Sequence, residues 1–159
     1  MSTSSFHIIP LLYDIDLRCA SFEIFLAPNV PCTTDGFDVD GLFEQLPGMR
    51  KHRCDSPKSR SFYDEARQTD IVHLLEHIAV ELLVLAGLKR SDVWGETGIP
   101  RSDARGDGSQ SQSCLVQDNS LPQGYRLRLY GTDSLPQAEG ALNQAVDILA
   151  RFNNSFQET

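Results

Sequence analysis

Hydrophobic residues follow a helical pattern most clearly over positions 71–86, where only four residues are polar. A helix that is apolar around nearly its whole circumference belongs in a protein core. Thr69 or Asp70 can cap its first N–H groups, and Gly87 ends the pattern. The pattern therefore predicts one mostly buried helix over about residues 69–87, roughly 25 Å long.

Shorter patterns predict the other elements. Apolar runs bounded by turn residues indicate strands, and Pro10 confines the first strand to an edge of its sheet. Helical spacing of apolar residues predicts the other helices, and alternation of apolar and polar residues predicts the last strand. The predicted elements are strands near 6–13, 22–26 and 125–129 and helices near 35–47 and 134–152. This order favours an α+β fold, with helices packed on a small mixed or antiparallel sheet.

The segment 102–113 is rich in Gly, Ser and Gln and has almost no apolar residue. Such a segment cannot offset the entropy lost on ordering, so we expect a mobile loop there. The whole chain of 159 residues is long enough for one domain and too short for two.

Charge and cysteine usage narrow the class of protein. The net charge is −8 without a basic run, which argues against nucleic-acid binding. No stretch reaches the roughly 20 unbroken apolar residues that span a membrane. The four cysteines are scattered and lack C-x-x-C spacing, so a reduced, cytoplasmic protein is expected.

The four polar residues of the central helix are His73, Glu76, His77 and Glu81. At 100° per residue they occupy one sector of the helix, within about 80° of His73. Histidines at i and i+4 stand one turn apart and can bind one metal ion, and their order with Glu76 is that of an inverted zincin, H-x-x-E-H.

This pattern predicts a site for zinc, or for another divalent metal, with His73 and His77 as ligands. Glu76 would be the general base. Glu81 would lie in a second layer and accept a hydrogen bond from His77, or would ligate the ion directly if the helix were distorted. A third protein ligand stays open, and the candidates are Asp133, Glu139, His52 and Cys54.

Four residues outside the helix are candidates for substrate binding: His52, Cys54, Arg126 and Arg128. The two arginines could hold a substrate carboxylate, or could simply be solvated on the polar face of their strand. Cys54 could equally be a small buried side chain and His52 a hydrogen-bonded turn residue.

The stretch from Leu46 to Thr97 resembles the N-terminal domain of cyanophycin synthetases. The resemblance is carried by motifs that stand in the family's order: Leu46-Pro47, His52-Arg53-Cys54, Phe62, Thr69, His73 to Leu82, Leu85-Ala86-Gly87 and Gly95-Glu96-Thr97. In that family the domain engages a polymer of aspartate with arginine on each side chain, and in some members it cleaves the polymer through this H-x-x-E-H site.

The resemblance implies the N-terminal module alone, since the family's two ligase modules do not fit in 159 residues. It implies a metal-dependent hydrolase acting on a peptide or a cyanophycin-like polymer. The alternatives are a non-catalytic module that binds such a polymer, and an accessory domain that uses the polar stripe as a helix–helix interface in a homo-oligomer.

Overall fold

The computed structural model of the chain describes residues 5–28, 30–54, 61–98 and 124–152. The predicted loop at 102–113 lies outside these ranges. The strands are β1 (Phe6–Asp14), β2 (Cys19–Leu26), β3 (Trp94–Gly98) and β4 (Gly124–Tyr130). The helices are α1 (Val39–Gln45), α2 (Phe62–Glu65), α3 (Ile71–Leu85) and α4 (Leu135–Arg151), and a short 3-10 helix covers Pro47–Lys51.

The four described strands form one antiparallel sheet in the order β1-β2-β4-β3. The expected α+β class is therefore confirmed. β1 lies at an edge, as Pro10 predicts, and its pairing with β2 shifts between Pro10 and Leu12. A proline lacks the N–H that a ladder needs, so the irregularity falls where the chain cannot pair regularly.

Helices α3 and α4 pack against each other and against the sheet. The sheet residues that meet them alternate along the strands, as in Tyr125, Leu127 and Leu129 of β4, which are at most 2% exposed. α3 is the centre of the core, because twelve of its fifteen residues are buried. Its apolar circumference gives it partners on several sides.

The ends of the long helices follow their capping signals. α3 ends two residues before Gly87, whose φ of +119° suits a residue without a side chain. Ser134 caps α4 by accepting a hydrogen bond from the Gln137 N–H. Within the described residues, no helix is both long enough and apolar enough to cross a membrane.

The fold differs from the sequence-based expectation in several places. β2 begins at Cys19 rather than near residue 22, and α2 was not among the predicted elements. α1 begins at Val39, later than expected, because Asp38 accepts from the Gly41 N–H and starts the helix there. The turn at Pro47-Gly48 is the start of the 3-10 helix. β3 was not predicted, since two of its five residues are glycine and it lacks an apolar alternation.

Candidate metal centre

Three side chains from two parts of the chain meet at one point. The Nε2 atoms of His73 and His77 are 3.1 Å apart. The Sγ atom of Cys54 lies 3.7 Å from the first and 3.6 Å from the second. Among the described residues, these three are the group of His, Cys, Asp and Glu side chains that could hold a metal ion. Of the four candidates for a third ligand, the structure selects Cys54.

Local structure explains how Cys54 reaches the helix. The 3-10 helix ends at Lys51, and the following residues run beside the start of α2. The Phe62 N–H donates to the His52 carbonyl at 3.0 Å, and Arg53 forms an isolated bridge with Ser61. Cys54 comes directly after this paired segment, which places its side chain against α3.

Phe62 also fixes the imidazole rings. Its ring stacks on that of His77, with centroids 3.6 Å apart and planes 14° from parallel, and meets the His73 ring edge to face. Phe62 is fully buried. Since an aromatic stack restricts rotation of both rings, His77 is held in one plane.

The donor atoms fit a tetrahedral zinc site. Zn–N bonds of about 2.0 to 2.1 Å and a Zn–S bond of about 2.3 Å place two nitrogens about 3.3 Å apart and a nitrogen and a sulfur about 3.6 Å apart. The three distances in the cluster agree with these values within a few tenths of an ångström. Two imidazoles and a thiolate suit zinc better than magnesium or calcium.

Both histidines of the cluster favour the neutral form that binds metal. Burial lowers the pKa of His73 below its ordinary value, with a smaller opposing effect from Glu65. Burial, together with the neighbouring His73 and His52, lowers the pKa of His77 well below its ordinary value. The rings therefore carry lone pairs rather than charge at neutral pH.

Glu76 lies beside the cluster and under strand β3. Its Oε1 atom is 3.9 Å from Nε2 of His77, and the residue is only 4% exposed. Burial raises the pKa of Glu76 to about 8, the negative charge of Glu96 adds to the effect, and a hydrogen bond with Thr97 partly opposes it. Without a cation nearby, Glu76 is thus protonated at neutral pH.

Glu81 has a different partner from the one expected. Its Oε1 atom lies 3.0 Å from Nε2 of His52, and its carboxylate also binds Arg90. Nδ1 of His52 in turn lies 2.9 Å from Nδ1 of His77. The expected hydrogen bond between Glu81 and His77 is therefore replaced by a path through His52, and Glu81 is not among the three cluster residues.

His52 is a buried link in this path. It is 8% exposed, and burial lowers its pKa, while the hydrogen bond and charge of Glu81 work against that shift. Both ring nitrogens of His52 have protein partners, Glu81 and His77, and its role in substrate binding stays a prediction. Its place as a hydrogen-bonded residue after a turn agrees with the alternative stated for it.

The two arginines of β4 lie away from the cluster. Leu127 and Leu129 point toward the helices, so Arg126 and Arg128 alternate onto the other face of the sheet. Arg128 lies 3.9 Å from Glu96 on that face. The structure does not bring these arginines to the cluster, and their role in substrate binding stays a prediction.

The two acidic candidates for a ligand are also separate from the cluster. Asp133 forms a 2.6 Å ion pair with Arg18 and is exposed. Glu139 lies on α4 and is not one of the three grouped residues. Among the described residues, the side chain grouped with the two histidines is thus the thiol of Cys54 rather than a carboxylate.

Three residues that support the site were not predicted as site residues from the sequence. Arg90 holds Glu81, Thr69 lies 2.9 Å through its hydroxyl from Nδ1 of His73, and Gly95 lies against Glu76. The i,i+4 spacing of Thr69 and His73 could have revealed the first-turn contact. The contacts of Arg90 with Glu81 and of Gly95 with Glu76 form only after the chain reverses direction, and no local sequence pattern predicts them.

The fold and the cluster together define an α+β protein with a candidate metal centre formed by two histidines of the central helix and Cys54 beside it. Residues 27–104 match the family model of the cyanophycin synthase-like N-terminal domain. The matched range contains Cys54, His73, Glu76 and His77. The resemblance of the sequence is thereby confirmed. No curated protein and no solved structure matches the chain.

Proposed function

We propose that Cys54, His73 and His77 bind one zinc ion and that the site hydrolyses an amide bond in a peptide or a cyanophycin-like polymer. The observation that carries the proposal is the agreement of the three donor distances with a tetrahedral zinc site, beside a buried carboxyl group. Three protein ligands leave a fourth position open, which is typical of catalytic rather than structural zinc.

The zinc ion, Glu76 and Phe62 would have different roles in this reaction. Bound zinc supplies Lewis-acid polarisation of a carbonyl oxygen and lowers the pKa of water. Glu76 takes the proton of the attacking water and passes it to the leaving amine. The proximity of a cation favours the ionised form of Glu76, which offsets the effect of burial on its pKa. Phe62 keeps His77 oriented and excludes water from one side.

The first test is metal content. Protein purified without a histidine tag should contain about one equivalent of zinc by elemental analysis, and His73→Ala or Cys54→Ser should remove it. His7→Ala is the matched control, because His7 is exposed on β1 and outside the cluster. Wild-type protein that takes up no zinc, manganese or cobalt at micromolar concentration near neutral pH would contradict the proposal.

The second test separates binding from catalysis. Glu76→Gln preserves shape and removes the proton acceptor, so zinc should stay bound while hydrolysis falls by about 10² to 10⁴-fold. Substrates to assay are cyanophycin and short aspartyl peptides carrying arginine. Equal hydrolysis by the wild type and Glu76→Gln would exclude Glu76 as the base.

A second candidate function is a metal-holding recognition module without catalysis. It is favoured by one observation: Glu76 is 4% exposed, and its carboxyl group lies against Gly95 of β3, where a substrate would have to approach it. In that case the protein would bind the polymer with zinc present, and neither the wild type nor Glu76→Gln would cleave it. Polymer binding measured beside the hydrolysis assay distinguishes the two.

A further inference from the structure

A continuous chain of polar contacts leads from the partly exposed Arg90, which follows α3, through buried residues to the metal centre. Arg90 donates to Glu81 through two nitrogens, with distances of 2.6 Å and 2.9 Å. The same carboxylate lies 3.0 Å from Nε2 of His52, whose Nδ1 lies 2.9 Å from Nδ1 of His77. We call Arg90, Glu81, His52 and His77 the buried relay.

The direction of each hydrogen bond in the buried relay follows from its first member. The guanidinium group of Arg90 can only donate, and an ionised carboxylate can only accept. Burial acts to raise the pKa of Glu81, but the hydrogen bonds from Arg90 and His52 outweigh it and the pKa is lowered, so the carboxylate is ionised. Nε2 of His52 must therefore carry the proton that it shares with Glu81.

The protonation of His52 then determines the direction of its hydrogen bond with His77. Arg90 already balances the charge of Glu81, so no second cation is needed at His52, and the ring is neutral. A neutral imidazole has one N–H, which leaves Nδ1 of His52 as an acceptor. Nδ1 of His77 must donate to it, and Nε2 of His77 keeps its lone pair. That lone pair faces His73 and Cys54.

The other histidine lacks such a device. Its Nδ1 lies 2.9 Å from the hydroxyl of Thr69, and a hydroxyl can donate or accept. Thr69 therefore fits either tautomer of His73, whereas the buried relay fits only one tautomer of His77.

The missing side chain of Gly48 leaves space for the ion pair between Glu81 and Arg90. A Cβ atom at Gly48 would overlap the Glu81 carboxylate and come within 2.7 Å of Nη2 of Arg90. The Gly48 carbonyl accepts from Arg90 at 3.3 Å. Gly48 thus leaves room for the Arg90–Glu81 ion pair at the partly exposed end of the relay.

We propose that His52, Glu81 and Arg90 are positioning residues that hold His77 in its Nδ1–H tautomer and so aim its Nε2 lone pair into the Cys54–His73 cluster. The metal-binding consequence rests on the function proposed above, but the tautomer itself does not. Hydrogen-bonding partners behind a metal-ligating histidine are typically worth 10- to 100-fold in metal affinity.

The first experiment reads the tautomers directly in metal-free wild-type protein. Long-range ¹H–¹⁵N correlation spectra of protein labelled at histidine, recorded near neutral pH, distinguish a protonated ring nitrogen from an unprotonated one. We expect a proton on Nδ1 of His77 and on Nε2 of His52. A His77 ring protonated at Nε2, or a His52 ring protonated at Nδ1, would overturn the proposal.

The second experiment uses two substitutions of His52 that differ in polarity. In His52→Gln, the amide NH₂ can donate to Glu81 and the amide oxygen can accept from His77, so the direction of the relay is kept. His52→Leu fills similar space without either bond. Competition titrations with cobalt and zinc should give near-wild-type affinity for His52→Gln and a roughly 10- to 100-fold loss for His52→Leu. His7→Ala is again the control.

The outcomes separate the two proposals. Equal affinities for His52→Gln and His52→Leu, whether both high or both low, would overturn the positioning role. If wild-type protein binds no metal, the proposed function fails, and the tautomer spectrum alone decides whether the relay exists. If His52→Leu does not fold, the spectrum of the wild type together with the affinity of His52→Gln still tests the assignment.

Discussion

At the scale of single residues, the candidate site combines groups whose burial changes their chemistry. The two histidines of the cluster are kept neutral, and Glu76 is kept protonated until a cation approaches. Burial strengthens electrostatic interactions, and pKa values shifted in this way are common at functional sites. The protonation of Glu76 also makes the stability of the metal-free protein depend on pH.

The pKa of Glu76 in the folded state, about 8, lies above its unfolded value. Between those values the folded state binds more protons than the unfolded state, so stability falls as pH rises. The lowered pKa values of the histidines act the other way, but only below their unfolded values near 6.5. Near pH 7 to 8, the titration of Glu76 should therefore contribute more to the pH dependence of stability than the titration of the three histidines.

We expect the free energy of unfolding of metal-free wild type to fall by about 1 kcal/mol per pH unit near pH 7, measured by urea titration. Glu76→Gln carries no titrating group there and should show a flatter profile. The groups facing Glu76 are Glu96, Thr97 and His77, and they remain in the variant. Identical profiles for the two proteins would contradict the burial effect on Glu76.

At the scale of elements, α3 is both the main core helix and the carrier of the site. Sequence periodicity identified its extent and its polar stripe because both depend on local spacing. The sequence alone offers Cys54 only as one of four candidates to join that stripe. It depends on the backbone contacts between His52 and Phe62, which bring distant segments together.

Two leucines of α3 test its central position. Leu75 is fully buried, whereas Leu85 in the last turn is 64% exposed. Leu75→Ala should lower the free energy of unfolding by about 2 to 5 kcal/mol, because it leaves a cavity among close-packed neighbours. Leu85→Ala, the matched control, should change it by less than about 0.5 kcal/mol. Similar small losses at both positions would place the helix at the surface.

β3 tests how a strand positions the candidate base. A Cβ atom at Gly95 would come within 2.6 Å of Cγ of Glu76, while one at Gly98 meets nothing within 4 Å. Gly95→Ala should therefore displace the Glu76 side chain and lower hydrolysis, with zinc content unchanged. Gly98→Ala should leave both unchanged. Loss of zinc in Gly95→Ala, or equal activity in both variants, would show that Gly95 does not set the position of Glu76.

At the scale of the whole molecule, the sheet separates two surfaces. One face carries α3, α4 and the cluster, and the other carries Arg126, Arg128 and the stacked rings of Trp94 and Tyr130. Alternation along β4 predicted that the arginines share a face. It could not predict which side of the sheet holds the site, because the pattern of apolar residues predicted neither β3 nor its contact with Glu76.

The cluster also joins distant parts of the chain, so metal binding should stabilise the fold. Cys54 follows the 3-10 helix, and the two histidines lie on α3. Zinc that binds the folded state alone, at about 100 times its dissociation constant, adds about 2.7 kcal/mol. For a chain of this size that corresponds to a rise in Tm of about 5 to 10 °C.

Differential scanning calorimetry with and without zinc should show this rise in wild type and His7→Ala. Cys54→Ser and His73→Ala should show little change, and magnesium should have little effect on any of the four proteins, since it prefers oxygen ligands. A zinc-dependent rise of the same size in His73→Ala would mean that the stabilising ion binds elsewhere.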